Sequence, residues 1–89
     1  MDGLRRVGFY HGALCVHRHE GAWNDPHAPF YGGMQMDYSF QKAHGPVYLR
    51  RWGTADRWPV WAQLHASYDG WSSRGWHPWP NTARACGLL

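Results

Sequence analysis

The carboxyl group of this sequence best placed for acid–base chemistry is that of Glu20, in the run His17-Arg18-His19-Glu20-Gly21-Ala22-Trp23. A carboxylic acid protonates a glycosidic oxygen near neutral pH when it stands in a partly dry site beside aromatic rings, with rings and amides around it to hold the sugars. Glu20 has neighbours of those types. It falls at the end of an apolar-patterned segment, precedes a turn carrying Trp23, and is followed by a glycine-bearing stretch with the amide Gln35. A solvated glutamate at a helix terminus would have the same composition around it, so the assignment depends on whether the fold brings these groups together. Asp25 and Asp37 are the nearby candidates for a second carboxylate. Asp25, just before Pro26, reads as a turn residue, and Asp37 reads as a helix cap.

The remaining chemistry-bearing residues point elsewhere less strongly. Seven histidines invite a metal site, but His17 and His19 are two residues apart and so leave a helix in different directions, and no H-E-x-x-H arrangement is present. They are expected as surface groups flanking a cleft, with no metal and no cofactor. The formal charge of +3 suits an anionic polymer. Against nucleic acid as that polymer, no binding-module signature occurs, and the arginines are scattered apart from Arg5-Arg6 and Arg50-Arg51.

The elements that must position these groups can be read from periodicity and punctuation. Phe9 to His19 has apolar residues at helical spacing, with Glu20 at the end and Gly21 beyond it. Asn24, Asp25, Pro26 and Pro29 make a loop of residues 23–29. Phe30 to Met36 reads F-Y-G-G-M-Q-M, a small hairpin or irregular extended segment bent at its glycines. Asp37 or Ser39 caps a helix over Phe40 to His44, Gly45 stops it, and Pro46 opens another through Tyr48, Leu49 and Trp52, ended by Gly53. After Thr54, Trp58, Trp61, Leu64, His65, Tyr68 and Trp71 recur at three- and four-residue steps and predict the core helix. From Arg74 onward the tail is rich in Pro and Gly and is expected to wrap the surface irregularly.

Eighty-nine residues allow one domain, residues 1–89, with a single small core. Seven tryptophans and five tyrosines exceed what packing so small a core requires, which leaves rings for a cleft. Cys15 and Cys86 lie near opposite ends; paired, they would close most of the chain and stabilise it by roughly 4 kcal/mol, and the alternative is two buried thiols in a reducing compartment. No apolar run approaches the roughly 18 residues of a membrane span. Nor does the start of the chain read as a secretory signal, so an exported protein would be represented here by a mature piece or by one domain of a longer chain.

In order, these residues resemble the resuscitation-promoting-factor and transglycosylase-like domains of secreted bacterial wall enzymes: Cys15 and Glu20 on a helix, Gly21 and Trp23, Tyr31-Gly32-Gly33-Met34-Gln35, an aromatic helix, Gly75-Trp76, Trp79-Pro80 and a final Cys86. The resemblance runs from about Gly12 to the C-terminus. It implies a mostly α, α+β fold: a small lysozyme-like domain with a short β-hairpin, closed by one Cys15–Cys86 disulfide. It implies Glu20 as the catalytic acid, with Trp23, Tyr31, Gly33, Gln35 and Trp76 at the substrate. The implied partner is the peptidoglycan glycan strand at the cell wall, alongside other wall hydrolases, and the implied activity is a lytic transglycosylase or muramidase. A wall-binding module that does not cut is the alternative. In the family the first cysteine usually directly precedes the glutamate, whereas Cys15 stands about one helical turn earlier, roughly 6 Å along the axis. Asn81 to Ala85 lengthen the tail before Cys86, and the two shifts are expected to compensate.

Overall fold

The computed structural model describes residues 2–89, with side chains from Arg6 onward; the side chain of Arg5 lies outside the described residues. The chain is mostly helical: α1 (Asp2–Glu20), α2 (Tyr38–His44), α3 (Pro46–Trp52), a 3-10 turn (Ala55–Arg57), α4 (Val60–Arg74) and α5 (Pro80–Ala85). Among the described residues no helix is long and apolar enough to cross a membrane.

α1 begins well before Phe9 and buries Phe9, Ala13 and Val16 on one face. Gly12 lies on that helix because a ring needs the space: a Cβ there would stand 2.5 Å from Trp76 Cζ2. Trp76 stacks on Phe9 with ring centroids 5.5 Å apart. Asp37 caps α2 by accepting the Phe40 N–H at 2.8 Å, and Pro46 opens α3, both as the sequence suggests.

The most deeply buried face of α4 carries small residues, while Leu64, Tyr68 and Trp71 of the aromatic stripe are half-buried and pack against the core. Ala62, Gln63, Ala66, Ser67 and Gly70 are buried, whereas Trp61 is 60% exposed, and Trp58 joins the core from extended backbone ahead of the helix. The physical reason is space. Phe40, Phe9 and Trp58 already supply the bulk of the core, so α4 must approach closely with small residues; a Cβ on Gly70 would stand 2.4 Å from Phe40 Cζ.

The expected hairpin over Phe30 to Met36 is reduced, among the described residues, to a single antiparallel bridge between Tyr31 and Met36. Tyr31 N–H donates to Met36 O at 3.0 Å and Met36 N–H to Tyr31 O at 2.9 Å. The ladder stops there because the next pair outward would join Pro29, with no N–H to donate, to Tyr38, which already opens α2; buried side-chain amides hold the bend and the loops around it. Gln63 Oε1 accepts the Gly33 N–H at 2.9 Å, while Gln63 Nε2 donates to Trp23 O at 2.9 Å and Trp58 O at 3.1 Å. Gln41 Nε2 donates to Met36 O and its Oε1 accepts from Ala55 N–H, each at 2.9 Å. Gly32, at φ 77°, and Gln35, at φ 49°, complete the bend.

Gln63→Leu is expected to destabilise the domain by about 3 kcal/mol, because a buried group left without a partner costs roughly 1–3 kcal/mol. Urea denaturation of the two proteins measures it; a loss below about 1 kcal/mol would show that the turn does not depend on this amide.

The tail is more regular than its composition suggests. Pro80 sits at the first position of α5, where its missing N–H is harmless, Ala83 is buried, and α5 packs on α1. The Cys15–Cys86 disulfide joins those two helices across 71 residues of sequence, with Cα atoms 6.1 Å apart. Asn81 to Ala85, the residues just before Cys86, lie in α5.

Candidate functional site

Glu20 is the last residue of α1 and is half-buried. Among the described residues its carboxyl has one hydrogen-bond partner, the Thr82 hydroxyl, which donates to Oε2 at 2.6 Å. Thr82 belongs to α5, the helix that the disulfide ties to α1, so the covalent bridge and this bond hold the same pair of helices. One carboxyl oxygen is thereby fixed, and Oε1 remains for proton exchange.

The Glu20 carboxyl stands at the head of a groove of about 290 Å³, walled by Phe30, Gln35, Trp79, Pro80 and Thr82. Past Phe30, Gln35, Pro78 and Trp79, which line both stretches, the groove continues into a further 370 Å³ bordered by Asp37, Ser39, His44 and Arg74. Phe30 is 47% exposed and forms a rim. Trp79 is nearly buried and donates its indole N–H to Met34 O at 2.7 Å, which makes the ring a fixed floor.

Gln35 Nε2 donates to Asp25 Oδ2 at 2.9 Å and to Gly32 O at 2.8 Å. Both partners are acceptors, which settles which end of the amide is nitrogen. Its two protons are used, and Oε1 is the acceptor left for a ligand's hydroxyl or amide N–H.

Asp25 is accordingly placed behind Gln35, and it is not among the residues lining the Glu20 groove. The His27 ring at its Oδ1, the His27 backbone N–H at 3.1 Å and the Gln35 amide lower its pKa below the usual aspartate value, so it is anionic at neutral pH. With the folded-state pKa depressed, whatever this charge contributes is present above the ordinary aspartate pKa of about 3.9 and lost as pH falls below it. Asp37 lines the farther stretch, with one oxygen given to the α2 cap.

Other sequence-nominated residues support the site from outside it. Trp23 stacks on His17 with ring centroids 3.7 Å apart, and the two line a separate shallow depression with Arg18, Asn24 and Asp56. His17 is half-buried, its Nδ1 bonded to Gly33 O at 3.0 Å, so it is a structural group and not the surface group its spacing suggested. Gly33 is buried, and a Cβ there would lie 2.3 Å from Trp23 Cε3. Tyr31 packs against the core beside the bridge, and Trp76 packs on α1; neither lines the Glu20 groove. His19 is exposed and near Cys15 and Cys86, whose sulfurs are both engaged in the disulfide.

Sequence reasoning missed Thr82 as the partner of Glu20 and Phe30 as a groove wall; Trp79 entered it as one of the aromatic pair near the closing cysteine. Pro80 was the available signal for Thr82, since proline at a first helical position places Thr82 in the opening turn of α5. No family model, curated protein or solved structure matches the chain.

Proposed function

We propose that this chain is a lysozyme-like domain that cleaves the glycan strand of peptidoglycan at the β-1,4 link between amino sugars, with Glu20 as the catalytic acid. The observation that carries the reading is a helix-terminal carboxyl, one oxygen fixed by Thr82, at the head of a groove presenting an aromatic rim, an aromatic floor and the oriented amide of Gln35. Such a groove holds sugar faces against rings and sugar hydroxyls or acetamido groups against the amide. The Cys15–Cys86 disulfide suits an oxidising location outside the cell, at the wall.

The chemistry follows from having one carboxyl at the head of the groove. Glu20 gives its proton to the glycosidic oxygen as the bond from that oxygen to the anomeric carbon breaks, leaving an oxocarbenium-like centre. The resulting carboxylate takes the proton of the same sugar's 6-hydroxyl, whose oxygen bonds to the anomeric carbon. The ring closes as a 1,6-anhydro sugar, and no water or protein nucleophile is consumed. Hydrolysis would call on a second carboxylate to direct water, and Asp25 is held behind Gln35 while Asp37 gives an oxygen to a helix cap.

The test is the mass of the muropeptides released from purified peptidoglycan. Fragments with terminal muramic acid short of one water are expected. Hydrated ends would make the domain a hydrolase, and release of nothing by a domain that still sediments with the wall would make it a binding module.

Asp25 acts here through Gln35. Asp25→Ala removes the acceptor that orients the Gln35 amide, and a loss of on the order of tenfold to a hundredfold in kcat/KM is expected from a misplaced contact, with the melting temperature little changed. Unaltered cleavage would remove Gln35 from substrate positioning.

A further inference from the structure

The groove does not end at the sugars next to Glu20. Its farther stretch carries Arg74, the last residue of α4, together with His44 and Ser39 of α2. The guanidinium carbon of Arg74 lies 5.4 Å from the centroid of the Phe40 ring, and among the described residues no carboxylate lies within ion-pair distance of it. A guanidinium laid on an aromatic face keeps its N–H edge for a planar anion, and the fork of donors matches a carboxylate in two parallel bonds.

Two carboxylates stand nearby, each with one oxygen in a hydrogen bond; Asp37 lines this stretch and keeps its charge, so an anion binds where Arg74 outweighs it. Asp69 Oδ2 is 2.8 Å from His44 Nδ1, and Asp37 Oδ1 accepts the Phe40 N–H. His44 is fixed by that pair and by its ring contact with Phe40, 4.5 Å between centroids, so it forms a rigid wall beside Arg74. The Ser39 hydroxyl adds a rotatable donor on the same stretch.

We infer that this end of the groove is a carboxylate subsite, in which Arg74, walled by His44, takes the lactyl carboxyl group, or the first stem-peptide carboxyl group, of a muramic acid residue while Glu20 works on a neighbouring glycosidic bond. The inference rests on the glycan-cleaving reading of the groove. It supplies what the Glu20 stretch lacks: a reason for a wall strand, with its carboxyl on alternate sugars, to be preferred over an uncharged chain of N-acetylglucosamine.

The experiment uses two kinds of probe. D-lactate and its neutral isostere D-lactamide are titrated into the wild-type domain while the imidazole signals of His44 are followed by NMR. Lactate is expected to shift them saturably, lactamide at least fivefold more weakly, and Arg74→Ala to abolish the difference with its helical circular dichroism unchanged. Equal responses to the two probes, no response to either, or an unaltered response in Arg74→Ala would overturn the subsite. In parallel, a wall tetrasaccharide bearing muramic acid is expected to bind the Glu20→Gln variant about tenfold more tightly than chitotetraose, with the gap closed by Arg74→Ala. A lactate response in a wild-type domain that releases no muropeptides would sink the cleavage reading and leave the carboxylate site standing. Muropeptide release without a lactate response would do the reverse.

Discussion

Reduction of the Cys15–Cys86 disulfide should lower the melting temperature by about 15–30 °C. The bridge spans 71 residues, and a loop of that length gives a stabilisation of about 4 kcal/mol on the chain-entropy model. In a domain of this size each kcal/mol moves the melting point by about 4–8 °C. The effect is large because the core is small: it consists of Phe9, Met34, Met36, Phe40, Trp58 and Trp79 with a few small residues packed between them. Activity should fall with stability, since α5 carries Thr82 and its release would free the Glu20 carboxyl from its one partner. Scanning calorimetry with and without reductant measures the shift. An unchanged melting temperature, with both thiols shown to be free, would mean that α5 is held by packing alone.

Glu20→Gln should reduce glycan cleavage by at least about a thousandfold, within the roughly 10²–10⁴ range contributed by a positioned acid–base group. The substitution nearly conserves shape, and the Thr82 hydroxyl keeps an oxygen to donate to, so the position of α5 and the melting temperature should hold. What disappears is the transferable proton and, in the second half of the reaction, the base that accepts the 6-hydroxyl proton. Affinity for wall glycan should stay within a few-fold of wild type. Rates on purified peptidoglycan, paired with sedimentation binding of the same two proteins, separate the effects. A variant that keeps more than a tenth of the wild-type rate would remove Glu20 from the chemistry.

The elements whose signals are local were legible in the sequence. Gly21 after Glu20, Asp37 before α2, and Pro46 and Gly53 around α3 state their conformational roles by residue type. The aromatic stripe of α4 found the core helix, with Leu64, Tyr68 and Trp71 packed against the core, but not the residues that are most deeply covered, because ring spacing does not tell where other elements approach closest. With Phe9, Phe40 and Trp58 arriving from other elements, the covered face had to be Ala62, Ala66 and Gly70, and Trp61 was left in solvent. The strand pairing of the glycine segment was overestimated because Pro29 offers no N–H for a further pair and Tyr38 already opens α2, while Gln41 and Gln63, from α2 and α4, hold the bend instead.

At the site, Glu20 and Gln35 were recognisable from their order along the chain, and both line the groove. Trp23 and Trp76 were expected at the substrate from the resemblance, yet one stacks on His17 and the other on Phe9. Which face of a ring meets solvent is a tertiary fact that composition does not carry. Thr82 lies 62 residues from the carboxyl it holds, and the two meet because the disulfide and the packing of α5 on α1 bring the last helix to the first.

The most direct measurement is to give the isotopically labelled wild-type domain a defined wall oligosaccharide of alternating N-acetylglucosamine and muramic acid, and to follow protein and sugar together by NMR. The Gln35 side-chain amide, the Phe30 ring and the Thr82 methyl should shift first, and the signals of a 1,6-anhydro muramic end should then accumulate. Shifts confined to the Trp23–His17 depression or to the exposed Trp61 face, with the sugar unchanged, would contradict the assignment of the Glu20 groove as the place where this protein binds and cuts its substrate.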